Sequence, residues 1–409
     1  MFSMTSRSTG SWRDRLVSIP RRLRNMNPQL RLFVVGVLLL GVASGVFETT
    51  FNNFLSDRHG IGADVRGRLE FPRELPGFLT AVMAGLLFFV PETMLAAVAA
   101  FAVGAGMIML ARSGETWPLM IVAMMIWSAG THLMMPIRES VGMALADTKR
   151  RGRRLGQVAC AGIGGAFVGC VFVWVGMQRL SLDYSAIFMT GGIAAIVAGA
   201  VFLMMRLPGA HLKRPRFVWR NEFKLYYVLE ILFGARKQIF ITFGPWVLIK
   251  IFDQQPYVFA QLWMASSVLG IVLQPAMGRA IDRYGERVVL MIDSVLVFLV
   301  CAGYGLSHMF GNRDIALWVL YACYVGDHLL FGVGMARSTY VSKVASVSSD
   351  IAPTLSLGIS INHVVSMSVP ALGGLVWVAW GHQWVFVGAA FIAVAMFIAT
   401  SRISLSRDA

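Results

Sequence analysis

The chain has 409 residues, of which 57% are hydrophobic and only 14% charged, with a mean hydropathy of +0.67. Soluble globular domains carry about 25% charged residues, so an ordinary soluble enzyme or nucleic-acid-binding domain is excluded. The formal net charge of +15 does not argue for nucleic acid, because the basic residues gather in loops between long apolar runs, as the positive-inside rule expects of a membrane protein.

Residues 1–30 are basic and polar, with Arg7, Arg13, Arg15, Arg21, Arg22 and Arg24. The apolar run behind them is longer than a signal-peptide core and lacks a small-x-small cleavage site, so it reads as a retained first helix behind a cytoplasmic tail. A spanning helix needs about 20 apolar residues. Runs of that kind are expected at 31–55, 63–90, 92–111, 117–145, 156–178, 184–205, 222–250, 257–277, 288–309, 315–339, 353–379 and 383–401. The stretch from Pro208 to Glu222 is basic and proline-broken, the natural linker (207–221) between an amino-terminal bundle at 31–206 and a carboxy-terminal one at 222–402. Residues 403–409 are a short second tail. Lysines and arginines crowd the two tails, the Lys149–Arg154 cluster, the linker and the 278–287 turn, whereas the opposite loops hold Arg58, Arg112, Arg179, Lys250 and Arg313. Both termini are therefore expected in the cytoplasm, in a bacterial inner membrane.

The two halves echo each other. Gly45-Val-Phe-Glu-Thr-Thr-Phe51 matches Gly234-Ala-Arg-Lys-Gln-Ile-Phe240, Gly130-Thr-His-Leu133 matches Gly326-Asp-His-Leu329, and Gly169 answers Gly373, all in chain order. Such order argues for a duplicated helical unit. Cys160, Cys170, Cys301 and Cys323 lie in apolar runs without a C-x-x-C or a histidine at metal spacing, so they read as small core residues.

Residues 278 to 287 read Gly-Arg-Ala-Ile-Asp-Arg-Tyr-Gly-Glu-Arg between two span-length runs. Gly278 and Gly285 suit close approach and a tight reversal. Asp282 can meet helix N-terminal dipoles or an arginine, and Arg279, Arg283 and Arg287 hold the turn inside. With its G-x-x-x-D-R-x-G-x-R spacing this turn resembles the inter-helix signature of the major facilitator superfamily, in its carboxy-terminal copy. The resemblance implies twelve transmembrane helices in two pseudo-symmetric six-helix bundles around a central cavity, an alternating-access transporter, a monomer and no cofactor. Two features depart from that pattern. Phe89 stands where Asp282 would be in the first-half copy, and Gly162-Ile-Gly-Gly165 lacks the proline of the antiporter-type fifth span, while a similar Pro370-Ala-Leu-Gly-Gly374 sits in span 11. Drug/proton antiport loses support accordingly.

A charge at the centre of a spanning helix costs about 2.5–3.5 kcal/mol on insertion scales, and such residues normally face a bundle interior or a wet cavity. The expected substrate-binding set is Glu48, Asn52, Arg73, Glu74, Arg236, Lys237, Gln238 and Asn362. Arg73 and Glu74 lie about 12 residues from Gly85, roughly 18 Å into the membrane at 1.5 Å per residue. Glu48 and Lys237 hold corresponding places in the echo and are expected to approach across the cavity, directly or through substrate. Arg236 and Lys237 are adjacent and point about 100° apart, so at most one can aim straight at a solute. Cations in a low-dielectric cavity favour a carboxylate, phosphate or sulfate. The competing arrangement pairs Arg73 with Glu70 or Glu74 and Arg236 with Glu230, leaving ion pairs that only hold the halves together. The expected proton-coupling groups are His132, Asp327, His328 and His363, with a proton as coupling ion.

Trp117, Trp246, Trp318, Trp377, Trp380 and Trp384 fall near span ends as interfacial anchors, and Trp127, Trp174 and Trp263 lie deeper. No phosphate-cradling G-x-x-x-x-G-K-[ST] appears, which excludes ATP-driven pumping by this chain, and no catalytic triad, metal motif or redox motif appears. The expectation is a secondary transporter for a small polar, anionic or zwitterionic organic solute, with membrane lipids as its surroundings. A multidrug, amphiphile or lipid exporter of the same fold, and a non-transporting assembly factor or sensor derived from it, are the rivals.

Overall fold

The computed structural model describes residues 27–86, 89–146, 151–207 and 219–403, which are almost entirely helical. In chain order the helices are α1 (Pro28–His59), α2 (Ala63–Arg68), α3 (Glu70–Leu86), α4 (Glu92–Ser113), α5 (Trp117–Ala144), α6 (Arg151–Arg179), α7 (Tyr184–Leu203), α8 (Lys224–Lys250), α9 (Pro256–Gly305), α10 (Arg313–Leu330), α11 (Gly334–Val344), α12 (Ile351–Trp380) and α13 (His382–Ser401). The expected basic tail, most of the linker and the terminal residues after 403 lie outside the described residues.

Local chemistry sets the helix ends. Pro28 opens α1 behind Asn27, whose side chain accepts from the Gln29 amide at 2.9 Å, and Gly60 ends it in a left-handed conformation at φ 58°. Asp183 caps α7 and Asn312 caps α10 in the same way. Among the described residues, nine helices are long and apolar enough to cross a bilayer. One of these, α9, is 50 residues long and bends at Gly285, so it contains two of the expected runs. The expected second and seventh spans, α2–α3 and α8, are outside that set, and they are the segments that carry Arg66, Glu70, Arg73, Glu74, Arg236 and Lys237.

Three expectations need correction. The second span is two helices, broken at Leu69. The tenth is also broken, with a 3-10 turn at Phe331–Val333 between α10 and α11. The 278–287 segment is not a tight loop. The chain stays helical through Gly278 and leaves helical geometry only at Gly285 (φ 80°, ψ 163°), a conformation that suits glycine. A side chain at Gly278 would meet open space, so close approach there is not its role.

Small residues let the helices touch. Gly41 and Gly45 on α1 form a G-x-x-x-G stripe facing Gly165 and Gly169 on α6. A β-carbon at Gly165 would sit 1.9 Å from the Leu38 carbonyl oxygen, so these backbones are in direct contact. The main contacts across the two sequence halves run from α12 to α2 and α3 and from α9 to α6, with further ones from α9 and α8 to α1. On the α2 side, a β-carbon at Gly67 would meet the Pro370 carbonyl oxygen at 2.1 Å, and one at Gly374 the Ala63 carbonyl oxygen at 2.5 Å. Trp246, expected at an interface, is instead fully buried, whereas Trp318, Trp380 and Trp384 are exposed.

Candidate functional site

Between α1, α3, α5, α8, α9, α10, α11 and α12 lies a cavity of about 820 Å³, within the usual range for small-molecule sites. It extends from Pro245 and Tyr304 toward Glu139, Tyr226, Ser338 and Ala352, the ends of α5, α8, α11 and α12 nearest the basic loops. The opposite end is shut by the α2–α12 glycine contacts and by Asn53, whose amide donates to the Gln254 carbonyl at 2.7 Å.

The broken second span supplies most of the charge. Arg66, Glu70, Arg73 and Glu74 are all buried; the i, i+3, i+4 spacing of the last three sets them on one face of α3, and Arg66 reaches them from α2. Glu70 is the hub: it accepts from Arg66 Nη1 at 2.5 Å, from Arg73 Nε at 2.7 Å and from Gln238 Nε2 of α8 at 2.6 Å. Arg66 also donates to Asn52 Oδ1 at 2.9 Å, so that amide, though at the cavity wall, is already engaged. Arg73 spans Glu70 and Glu74, lying 2.9 Å from the latter. Glu74 in turn meets His363 Nδ1 of α12 at 2.9 Å. The His132 ring lies 5.0 Å from the His363 ring, roughly perpendicular to it.

In the second half, Arg236 does not line the cavity. It is fully buried, 3.0 Å from Asp327, and its guanidinium lies among the Phe233, Phe240 and Phe331 rings. The adjacent Lys237 does face the cavity, where its ammonium donates to Asn362 Oδ1 at 2.8 Å. The expected Arg236–Glu230 pair is replaced by Arg337, whose Nε donates to Glu230 at 2.8 Å while its guanidinium sits over the Phe233 ring. Glu48 also lines the cavity, but no direct ion pair joins it to Lys237, and it makes no hydrogen bond among the described residues. Asp327 and His328 reach the cavity too, with His328 packed against Trp263 and Tyr324.

Thus Glu48, Asn52, Arg73, Glu74, Lys237, Gln238, Asn362, His132, Asp327, His328 and His363 converge on one chamber, and Arg236 stands behind it. Trp127 and Trp263 line it, whereas Trp174 does not and instead bonds Gln178. Sequence reasoning missed Arg66 and Arg337. The spacing of Arg66 to Glu70 could have shown the first, while Arg337 lies beyond a helix break that no apolar pattern marks. Gly278, Asp282, Arg283, Gly285 and Arg287 are remote from the cavity: Asp282 and Arg283 are exposed and Arg287 is half-buried. Beside them Lys343 of α11 reaches buried Glu286 at 2.9 Å, tying the kink to the tenth span.

A family profile for the Major Facilitator Superfamily matches residues 73–361, well over half of the chain. The chain belongs to the major facilitator superfamily. It is a multi-pass integral membrane protein with the fold of a secondary transporter, not an enzyme. No curated protein sequence matches it. Solved structures do. The nucleoside transporter NupG superposes with a TM-score of 0.72 at 15% identity, covering 92% of this chain and 99% of that one. A bacterial homologue of the human lysosomal transporter Spinster, inward-facing and unoccupied, gives 0.67 at 12% identity over 92% and 96%. A POT family transporter in complex with 5-aminolevulinic acid gives 0.71 at 11% identity over 91% and 94%. At these identities the likeness is one of fold.

Proposed function

We propose that this superfamily member moves a small zwitterionic or anionic organic solute by proton-coupled alternating access. The observation that carries the reading is a pair of uncommitted charges. Among the described residues, Lys237 is the cavity-lining cation with no carboxylate in ion-pair range, since Arg73 serves Glu70 and Glu74 and Arg337 serves Glu230. Glu48 is a half-buried cavity carboxylate with no hydrogen bond of its own. A carboxylate on the solute would answer Lys237 and Asn362, and an ammonium would answer Glu48.

The two six-helix bundles, 31–206 and 222–402, would rock about this chamber, joined by the 207–221 linker and flanked by cytoplasmic tails at 1–30 and 403–409. With the basic loops inside, the described conformation is closed outside and open to the cytoplasm. Its outer roof is made of contacts between the halves: Glu70 with Gln238, Glu74 with His363, Asn53 with Gln254 and the Gly67–Pro370 contact. A proton delivered to Glu74 would remove the charge that holds Arg73 and His363, loosening one of those straps. His132, His328 and Asp327 line the same chamber and would carry the proton to it. The gating turn Gly278, Asp282, Arg283, Gly285 and Arg287 would steady the bend of α9 through Glu286 and Lys343.

The test is uptake into proteoliposomes under an imposed proton gradient, preceded by a thermal-shift screen of amino acids, organic acids, sugar phosphates and apolar drugs. Stabilisation by zwitterions or anions, lost in Lys237→Ala and in Glu48→Ala, is expected. Full transport in the charge-free double variant would overturn the binding roles.

A further inference from the structure

Glu74, His132 and His363 come from three helices, α3, α5 and α12, that are far apart in sequence. Each is buried, and one ligand atom from each lies within 4.8 Å of the others. We propose that these three residues form a binding site for a divalent first-row transition ion of the zinc type, which clasps the two halves of the transporter together in the described conformation. This inference does not depend on the solute reading.

The donor set decides the class of ion. Two imidazoles and one carboxylate suit zinc and its neighbours, whereas magnesium and calcium want oxygen. Three protein ligands leave one position, and all three residues line the cavity, so that position is open to water or an anion from the chamber. Tetrahedral ligands at about 2.0–2.1 Å from an ion stand roughly 3.3 Å from one another. The His363 Nδ1 to Glu74 Oε2 separation of 2.9 Å therefore needs a small opening, with the ion taking the place of the proton between them, and the third ligand, within 4.8 Å of the others, closes in to complete the set.

A second set of observations is independent of that spacing. His132 Nδ1 donates to the Ser128 carbonyl at 2.9 Å. A carbonyl can only accept, so in the neutral ring the Nε2 lone pair is free for a ligand. Metal-bound histidines are usually oriented in this way. Glu74's other oxygen is fixed by Arg73 at 2.9 Å. Gly77 lies beneath both rings: a β-carbon there would sit 2.6 Å from each imidazole, so the absence of a side chain makes room for the pair. Arg66 and Arg73 are tied to Glu70 and Glu74, and Glu48, free of other hydrogen bonds, lines the same chamber.

The experiment uses the purified full-length transporter in detergent, titrated with Zn2+ and separately with Mg2+, by calorimetry and thermal unfolding. One Zn2+ per chain, a raised midpoint and no response to Mg2+ are expected. His363→Ala and His132→Ala should each weaken Zn2+ binding at least ~100-fold, while His308→Ala, an exposed histidine elsewhere, keeps it. Should an alanine variant fail to fold, Glu74→Gln and His363→Gln keep the volume, and the Co2+ ligand-field band of a four-coordinate site reports the same loss. Equal Zn2+ affinity in wild type and the histidine variants, or no stoichiometric binding at all, overturns the site.

Discussion

Replacing Gln238 by leucine separates two quantities that most substitutions in a buried network change together. Gln238 is fully buried and donates to Glu70 across the two halves at 2.6 Å, so in the proposed cycle the bond lasts only while that end of the cavity is shut. A hydrogen bond to a charged group contributes about 1.5–3 kcal/mol, and about 1.4 kcal/mol is a tenfold change in an equilibrium. Losing it should move the closed-to-open balance roughly 10- to 150-fold toward the outward-open form. Global stability should change far less. Glu70 keeps Arg66 and Arg73 when Gln238 is gone, so its buried carboxylate is not left unpaired, and the folded protein can relax to the open form. The assay is a distance distribution between spin labels at Arg58 and Trp380, near the outer ends of α1 and α12, with the 4 native cysteines replaced. A populated longer distance with a nearly unchanged unfolding midpoint is expected. An unchanged distribution would refute the roof role of this bond.

The remaining expectations concern the hub and the glycine contacts. Glu70→Ala leaves Arg66 and Arg73 buried without their shared carboxylate, which should cost about 3–5 kcal/mol and show as a large fall in the unfolding midpoint. A midpoint within a degree of wild type would contradict the burial of that cluster. Gly67→Leu puts a side chain against the Pro370 carbonyl at the outer seam, so the folded protein should bind solute yet transport none, with the outer end permanently reactive to a thiol probe. Gly165→Leu strikes the α1–α6 contact inside one half and should instead reduce the yield of folded protein, measured by monodisperse elution.

Most of the fold was legible because apolar length and charge asymmetry are local properties. The run at 31–55 falls within α1, and that at 184–205 starts with α7 and ends two residues beyond it, where Asn27, Gly60 and Asp183 mark boundaries. The breaks at Leu69 and Phe331 lie beside Gly67 and Pro72 and beside Gly332 and Gly334, but Pro275 and Pro370 stand inside continuous helices, so such residues alone do not mark a break and tertiary packing decides. The site shows the same division. That Glu48, Arg73 and Lys237 belong to one chamber followed from the cost of charge in hydrocarbon. Which carboxylate each cation takes did not, because pairing depends on helix rotation: Arg236 turns back to Asp327 while Lys237 turns inward to Asn362. The convergence of His132, Glu74 and His363 required three helices to meet, which no spacing within one helix encodes.

The rival readings make different demands on the same cavity. A lipid or amphiphile exporter needs a wall that apolar chains can slide along, and a non-transporting descendant has no reason to retain ionised groups that each cost free energy to bury. Here Arg73, Lys237, Arg337, Glu48, Glu74 and Glu230 all face the chamber. The structural contribution of the paired ones is compatible with any of the three readings. Lys237 and Glu48 are not paired with each other or with anything of opposite charge among the described residues, so holding the bundles together does not account for them. A buried cavity charge with no opposite charge in the protein is accounted for by a partner that comes and goes, as a transported solute does.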